Sequence, residues 1–416
     1  MANETGVLGP DVDGVVRRPG PGGTEAAWRG VAAAASVRLR DALPVLATYA
    51  AIRIVGFGLM ALMAPGLKIK RHPQTLASLT GSWDADWYRR IAVHGYDLSL
   101  HAHPGQWLMS TSYAWFPGYP ATIDLLRIVP GVSPSAAGLA VTLLAGLAAA
   151  WGVQALGVEL TGDRRTGLLM AALWAVAPGA LTLQMAYSEA LFCAVAVWAL
   201  VALARRRWLT AGLLACLSGT VRSTAVAVIG AVVIAVAVDL VRRRRQTTDR
   251  GGWWRPLAAV AIAPLGFLGY LGFVAWETRR LDGWFMIERG VGTHFDWGAY
   301  AWHRVEQALL NRNGAVWMLV TLTVVAAIVL WLWTFAERVP LFLRGYLTVV
   351  LATALGAYGY YQCRPRFLMP AFLLALPLAL LLRGVPNRVL IPLFGVLAAA
   401  STWFGLYVIA ISNLAM

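Results

Sequence analysis

The chain has 416 residues and a formal net charge of +15, from 35 Lys and Arg against 20 Asp and Glu. Only 13% of residues are charged while 59% are hydrophobic, which excludes an ordinary soluble domain, where roughly a quarter of residues are charged, and excludes disorder for the bulk of the chain. Three cysteines make no disulfide framework, and nucleic acid is not an expected partner, because the arginines punctuate apolar blocks. The sequence reads as an all-α polytopic membrane protein.

Residues 1–41, with Pro19-Gly20-Pro21-Gly22-Gly23 among them, read as a disordered cytoplasmic tail ahead of a single transmembrane domain over 42–416. Spans are expected at 42–64, 134–158, 166–180, 184–204, 209–221, 224–241, 256–276, 314–335, 341–360, 367–383 and 389–411, since ~20 helical residues cross a ~30 Å hydrocarbon core. The first is too long for a signal-peptide h-region and reads as a retained anchor. Arg53 lies inside it, where a cation needs a partner or a water-filled cavity. Snorkelling or a helix–helix hydrogen bond serves there as well as a functional role.

Alternate loops carry Arg164-Arg165, Arg205-Arg206-Arg207, Arg242 to Arg245 with Arg250 and Arg255, Arg338, and Arg383 with Arg388; the tail adds Arg17, Arg18, Arg29, Arg38 and Arg40. All share the cytoplasmic side if the N-terminus is cytoplasmic and about eleven helices cross. Two long loops, 65–133 and 277–313, then face outward. They hold every histidine (His72, His94, His101, His103, His294, His303) and the acids Asp84, Asp86, Asp97, Asp282, Glu288 and Asp296. Chemistry is expected outside and close to the membrane.

In the first loop, 82–96 reads as a short interfacial helix. Trp83, Trp87 and Ile91 form its apolar stripe, Ser82 its N-cap and Gly95 its stop. Asp84 falls in the first turn, where the helix dipole favours an ionised carboxylate, the form a general base requires. From position alone, satisfying a helix N-terminus is the commoner role for acids such as Asp84 and Asp86. His101-x-His103 lacks a third metal ligand. Trp115 to Val129 is a half-length apolar helix entered through prolines, placed as juxtamembrane or re-entrant because a full span would invert every later loop.

Trp83-Asp84-Ala85, Ile91-Ala92, His94-Gly95-Tyr96 and Phe116-Pro117-Gly118-Tyr119-Pro120 resemble the PIG-V family, which supplies the second mannose of GPI anchors. The resemblance continues through Pro178-Gly179, Tyr187-Ser188-Glu189-Ala190-Leu191-Phe192, Gly219-Thr220-Val221-Arg222-Ser223 and Arg366-Phe367-Leu368, covering 80–225 well and the rest thinly. It implies a GT-C glycosyltransferase: a bundle of about eleven transmembrane helices, with juxtamembrane helices in the first external loop. Such an enzyme works on the external face with a polyprenyl-phosphate-mannose donor. The matching catalytic residue is Asp84, taking the acceptor's proton in an inverting transfer. Arg222, then Arg366 and Arg364, are the cations for the donor phosphate. Glu189, Tyr187, Ser188, Ser223, Asp86, Tyr88, His94 and Tyr119 are the candidate substrate contacts.

Two features depart from the family pattern. Asp86 falls where no shared acid is expected, and Thr224-Ala225 stands where eukaryotic members more often carry Asn-Gly. Lys68 and Lys70 are the only lysines among the 35 basic residues, a bias of GC-rich bacterial genomes. A bacterial plasma membrane is therefore expected, with membrane lipids as surroundings. The external acceptor stays open among a glycolipid, a lipid-linked glycan and a protein hydroxyl. No cofactor is expected, and the residues leave divalent-metal dependence open. A GT-C transferase using another lipid-linked sugar, such as arabinose or glucose, is an alternative. A lipid or sugar transporter or flippase is another, although no internal repeat is present. The second loop, with Trp284-Phe285-Met286 and Gly290-Val291-Gly292-Thr293-His294, reads as a lid, an acceptor-binding loop or an interfacial anchor. No disulfide is expected of Cys193, Cys216 and Cys363.

Overall fold

The computed structural model describes residues 21–69, 71–97, 112–245, 252–310 and 314–412. His101, His103, Arg17, Arg18 and Arg250 lie outside the described residues. Two compact units divide at Pro44, the first covering residues 1–44 and the second residues 45–416.

The helices in chain order are α1 (Pro21–Met63), α2 (Leu76–Thr80), α3 (Asp84–His94), α4 (Gly118–Leu126), α5 (Pro134–Thr161), α6 (Arg164–Ala175), α7 (Glu189–Ala204), α8 (Trp208–Gly219), α9 (Ala225–Arg245), α10 (Trp254–Ile262), α11 (Leu265–Thr278), α12 (Gly283–Val291), α13 (Ala299–Leu309), α14 (Ala315–Trp333), α15 (Leu341–Leu355), α16 (Arg364–Phe367), α17 (Ala375–Leu382) and α18 (Asn387–Leu406). The only sheet among the described residues is an antiparallel pair of two-residue strands, Lys68–Ile69 and His72–Pro73. Helical backbone begins at Pro21, inside the stretch expected to be a disordered tail. Its alanine-rich sequence from Ala26 to Ala35 explains the difference, since alanine is the strongest helix former.

This is a multi-pass, all-α membrane protein. Six helical stretches are long and apolar enough to cross a bilayer: Asp41–Gly66, Pro134–Thr161, Ala225–Arg244, Trp254–Thr278, Ala315–Trp333 and Asn387–Ala410. A seventh is the pair Tyr361–Phe367 and Phe372–Leu382, bent by 80°. Each of the eleven expected segments contains helix, but Glu189–Ala204, Trp208–Gly219 and Leu341–Leu355 are shorter apolar helices. At 16 residues, α7 is about 24 Å long against a ~30 Å core. It is shielded by protein, with Phe192, Val197 and Leu200 fully buried, so it need not match the lipid thickness.

Small residues allow the close packing that membrane helices rely on. A Cβ on Gly157 of α5 would lie 2.7 Å from Gly167 Cα of α6, and one on Gly152 would lie 2.4 Å from Val197 of α7. Arg53 has a structural explanation. Its Nη1 donates to Ala180 O at 2.8 Å and to Gln184 Oε1 at 3.1 Å, its Nη2 donates to Ala175 O, and its guanidinium lies over the Tyr49 ring. These contacts satisfy the Ala175 carbonyl at the end of α6, which has no partner within that helix, and tie it to the 3-10 turn Ala180–Gln184 that follows.

Candidate active site

The first acid is placed by an unusual backbone turn. Trp83 adopts a left-handed φ of 59° and caps α3, so Asp84 is the first helical residue. This corrects the expected Ser82 cap: Ser82 Oγ instead donates to Leu79 O at 3.0 Å. The buried face of α3 is Ala85, Tyr88 and Ile91 rather than Trp83, Trp87 and Ile91, because Trp83 stands outside the helical repeat and Trp87 stacks on Trp115 at 4.5 Å. Gly95 terminates the helix with φ 75° as expected.

Three other segments meet α3. Glu189 is the first residue of α7, after Ser188, where the helix dipole again favours a carboxylate. Arg222 lies in the turn between α8 and α9, and Arg366 on the single turn of α16. Two glycines hold these segments close. A Cβ on Gly118 would sit 2.7 Å from Thr220 Oγ1, and the Gly118 amide donates to Thr220 O at 2.7 Å. A Cβ on Gly179 would sit 2.3 Å from Pro365 O. Both positions therefore require the absent side chain.

The result is a chain of alternating charges. Arg366 Nη2 pairs with Asp84 Oδ2 at 2.6 Å, while Arg366 Nε donates to Glu189 Oε1. Arg222 Nη1 donates to the same Glu189 oxygen at 2.5 Å and to Ser188 Oγ at 3.0 Å. Tyr88 Oη bonds Ser188 Oγ at 2.7 Å, and the Arg366 guanidinium lies 4.5 Å over the Tyr187 ring. Tyr119 packs edge-on to Tyr88 at 4.9 Å and anchors to Gly138 O at 2.7 Å. Accessibility orders the roles: side-chain exposure falls from 25% at Asp84 and 15% at Arg222 to 7% at Arg366 and 1% at Glu189. Asp84 and Arg222 are the reachable groups, held from behind by Glu189 and Arg366. Among the described residues, Arg222 Nε and Nη2 make no hydrogen bond, leaving two donors for an anion.

Other expected contacts stand apart. Asp86 is tied to exposed Arg89 and Arg90 at 2.5 and 2.8 Å. His94 and Ser223 are exposed and join none of these bonds. Arg364 is fully buried but turns to Ala357 O, with Nε and Nη1 lacking a partner among the described residues. Among those residues, no group of three or more His, Cys, Asp or Glu is placed to hold a metal ion, and no disulfide joins the three cysteines.

One group was not singled out from sequence. Glu288, half-buried on α12, accepts from Thr293 Oγ1. Burial pushes its carboxyl up to about 7, against the Thr293 bond and Arg222, which favour the ionised form, while Asp84 adds like-charge repulsion. The Trp284, Ile287, Val291 spacing followed by Gly292 was the available signal for a short helix ending there.

No family model matches the chain. Among curated proteins, the GPI alpha-1,6-mannosyltransferase 2 of Mus musculus is 32% identical over 157 residues, 36% of this chain and 30% of that protein. The Rattus norvegicus protein of the same name is 29% identical over 177 residues, 40% of this chain and 34% of that one. The similarity is to GPI second-mannose transferases. That is the family whose motifs the sequence resembles, and the chain spans about a third of the length of the curated relatives it matches. Among solved structures, ArnT from Cupriavidus metallidurans bound to undecaprenyl phosphate aligns over 83% of this chain and 61% of its own, with 14% identity and a TM-score of 0.48.

Proposed function

We propose that the protein is a GT-C-type mannosyltransferase of a bacterial plasma membrane, moving mannose from polyprenyl-phosphate-mannose to an acceptor hydroxyl on the external face. The observation that carries this reading is the partly open Asp84 carboxylate, fixed by Arg366 and joined through Arg366 and Glu189 to an arginine with spare donors. The acceptor oxygen attacks the anomeric carbon and its proton passes to Asp84. The bond from that carbon to the phosphate oxygen breaks, with its electron pair leaving on the phosphate and the anomeric configuration inverting. The spare N–H groups of Arg222 meet the charge that develops on the departing phosphate. Arg366 orients Asp84, and Glu189 holds both arginines.

The face assignment rests on helix lengths. Glu189 begins α7 and Arg205-Arg206-Arg207 follow its end, about 24 Å away at ~1.5 Å per residue. The site therefore lies at the opposite end of that helix from an arginine cluster that favours the cytoplasm. Mannose is the sugar named in the activity of the curated relatives.

The test is a donor panel with purified protein and membrane acceptors: polyprenyl-phosphate-mannose, the same lipid carrying glucose or arabinose, and GDP-mannose. Label is expected to transfer from polyprenyl-phosphate-mannose. Transfer from GDP-mannose alone would overturn both the mechanism and the orientation.

A further inference from the structure

Arg222 is held at two points rather than one. Its Nη1 meets two acceptors, Glu189 Oε1 at 2.5 Å and Ser188 Oγ at 3.0 Å. A guanidinium is planar and rigid. One bond would leave it free to pivot, whereas two from the same nitrogen fix its plane, and with it the directions of Nε and Nη2. Ser188 gives up a local role to make this contact. It precedes α7 as the N-cap, where a serine usually accepts from the amides of the first turn. Here its backbone is right-handed helical and its hydroxyl makes no cap bond.

Tyr88 completes the hold. Its Oη bonds Ser188 Oγ at 2.7 Å, fixing the serine rotamer that faces Arg222. The Tyr88 ring is itself pinned by Tyr119, edge-on at 4.9 Å. Tyr119 Oη bonds Thr142 Oγ1 at 2.8 Å, and that hydroxyl donates at 3.2 Å to Tyr187 O, the carbonyl just before Ser188. Tyr88 lies one turn after Asp84 on α3, so the two share a side of that helix. Asp84 bonds Arg366, while Tyr88 reaches Arg222 through Ser188. One helix thus sets both cations.

We propose that Ser188 and Tyr88 are positioning residues that aim the spare N–H groups of Arg222 at the donor phosphate. This deepens the reading of Arg222 as the phosphate ligand and rests on it. The family resemblance implies both residues as substrate contacts. Ser188, however, is fully buried and Tyr88 is 4% exposed, so they act through the arginine rather than on the substrate. The Arg222–Glu189 pair keeps the cation in place by itself. Removing the Ser188 hydroxyl therefore leaves the charge and takes away its direction. Direction matters because a hydrogen bond weakens steeply once its N–H turns away from the acceptor oxygen, and bonds from a charged donor are the strong ones.

The experiment is calorimetric binding of two ligands to the full chain in detergent, without acceptor: farnesyl-phosphate-mannose, and farnesyl mannoside, which lacks the phosphate. The ratio of their dissociation constants isolates the contribution of the phosphate. Wild type should prefer the phosphate ligand. Ser188→Ala should reduce that preference about tenfold, as for one misdirected hydrogen bond to a charged group, with binding of farnesyl mannoside unchanged. Tyr88→Phe keeps the ring but frees the Ser188 hydroxyl, and should lose part of the preference. In an Arg222→Met background neither substitution should change the ratio further, since both act only through that arginine. An unchanged ratio in either single variant, an equal weakening of both ligands, or a further loss in the Arg222→Met background overturns the proposal alone. Undiminished preference in Arg222→Met, or none in wild type, overturns the phosphate reading beneath it.

Discussion

Replacing Glu189 with glutamine tests the charge chain at its most buried link. The carboxylate is 1% exposed and one oxygen serves both Arg222 and Arg366, which are themselves 15% and 7% exposed. Removing one member of a buried ion pair typically costs ~3–5 kcal/mol, because the partner charge is left without compensation. Glutamine preserves the shape and one acceptor, so the loss should fall near ~3 kcal/mol, roughly a hundredfold in the folding equilibrium. The assay is equilibrium unfolding in mixed micelles followed by tryptophan fluorescence. Adding Arg222→Met to Glu189→Gln removes one uncompensated cation and should restore part of the loss. Turnover per folded molecule should fall less than stability, since Glu189 lies behind the reachable groups. Wild-type stability in Glu189→Gln, or no recovery in the double variant, would refute the argument that this carboxylate compensates two cations.

Three further outcomes follow from the geometry. Gly179→Ala puts a Cβ 2.3 Å from Pro365 O and should displace Arg366 from Asp84, lowering turnover at least tenfold in protein that still inserts; unchanged turnover contradicts the close-approach argument. Arg53→Met deprives two backbone carbonyls of their donor and should lower thermal stability while leaving turnover per folded molecule within about twofold; a selective loss of turnover would give Arg53 a role at the site. Asp86→Asn breaks only exposed pairs, which contribute ~0–1 kcal/mol, so activity and stability should both stay near wild type.

The apolar blocks, the arginine alternation and the short helix with Asp84 in its first turn were legible because they are local and periodic. The bend between α16 and α17 follows from the Pro365 and Pro370 region, but its 80° angle depends on packing. The site itself could not be assembled from periodicity. Arg366 and Asp84 are far apart in sequence, and no local pattern announces their contact. The family motifs named both residues, and the glycines at 118 and 179 explain physically why those motifs persist as units: they are where separate segments touch. Trp83 misled because an apolar residue four positions before another was read as helical, whereas its positive φ makes it the turn that aims Asp84. Arg364 shares a short motif with Arg366, yet positions two apart on one helical turn point to different neighbours. Glu288 was one loop acid among several and no role could be assigned to it, because a loop acid carries no sequence mark of its eventual burial.

The most direct test of the account is transfer by Asp84→Asn, measured beside donor binding and a folding check on the same preparation. Asparagine keeps the size of the side chain and removes its ability to take a proton. A positioned general base contributes ~10²–10⁴-fold, so turnover with polyprenyl-phosphate-mannose should fall at least a hundredfold while the protein stays folded and still binds the donor. Full turnover in folded Asp84→Asn would contradict the account.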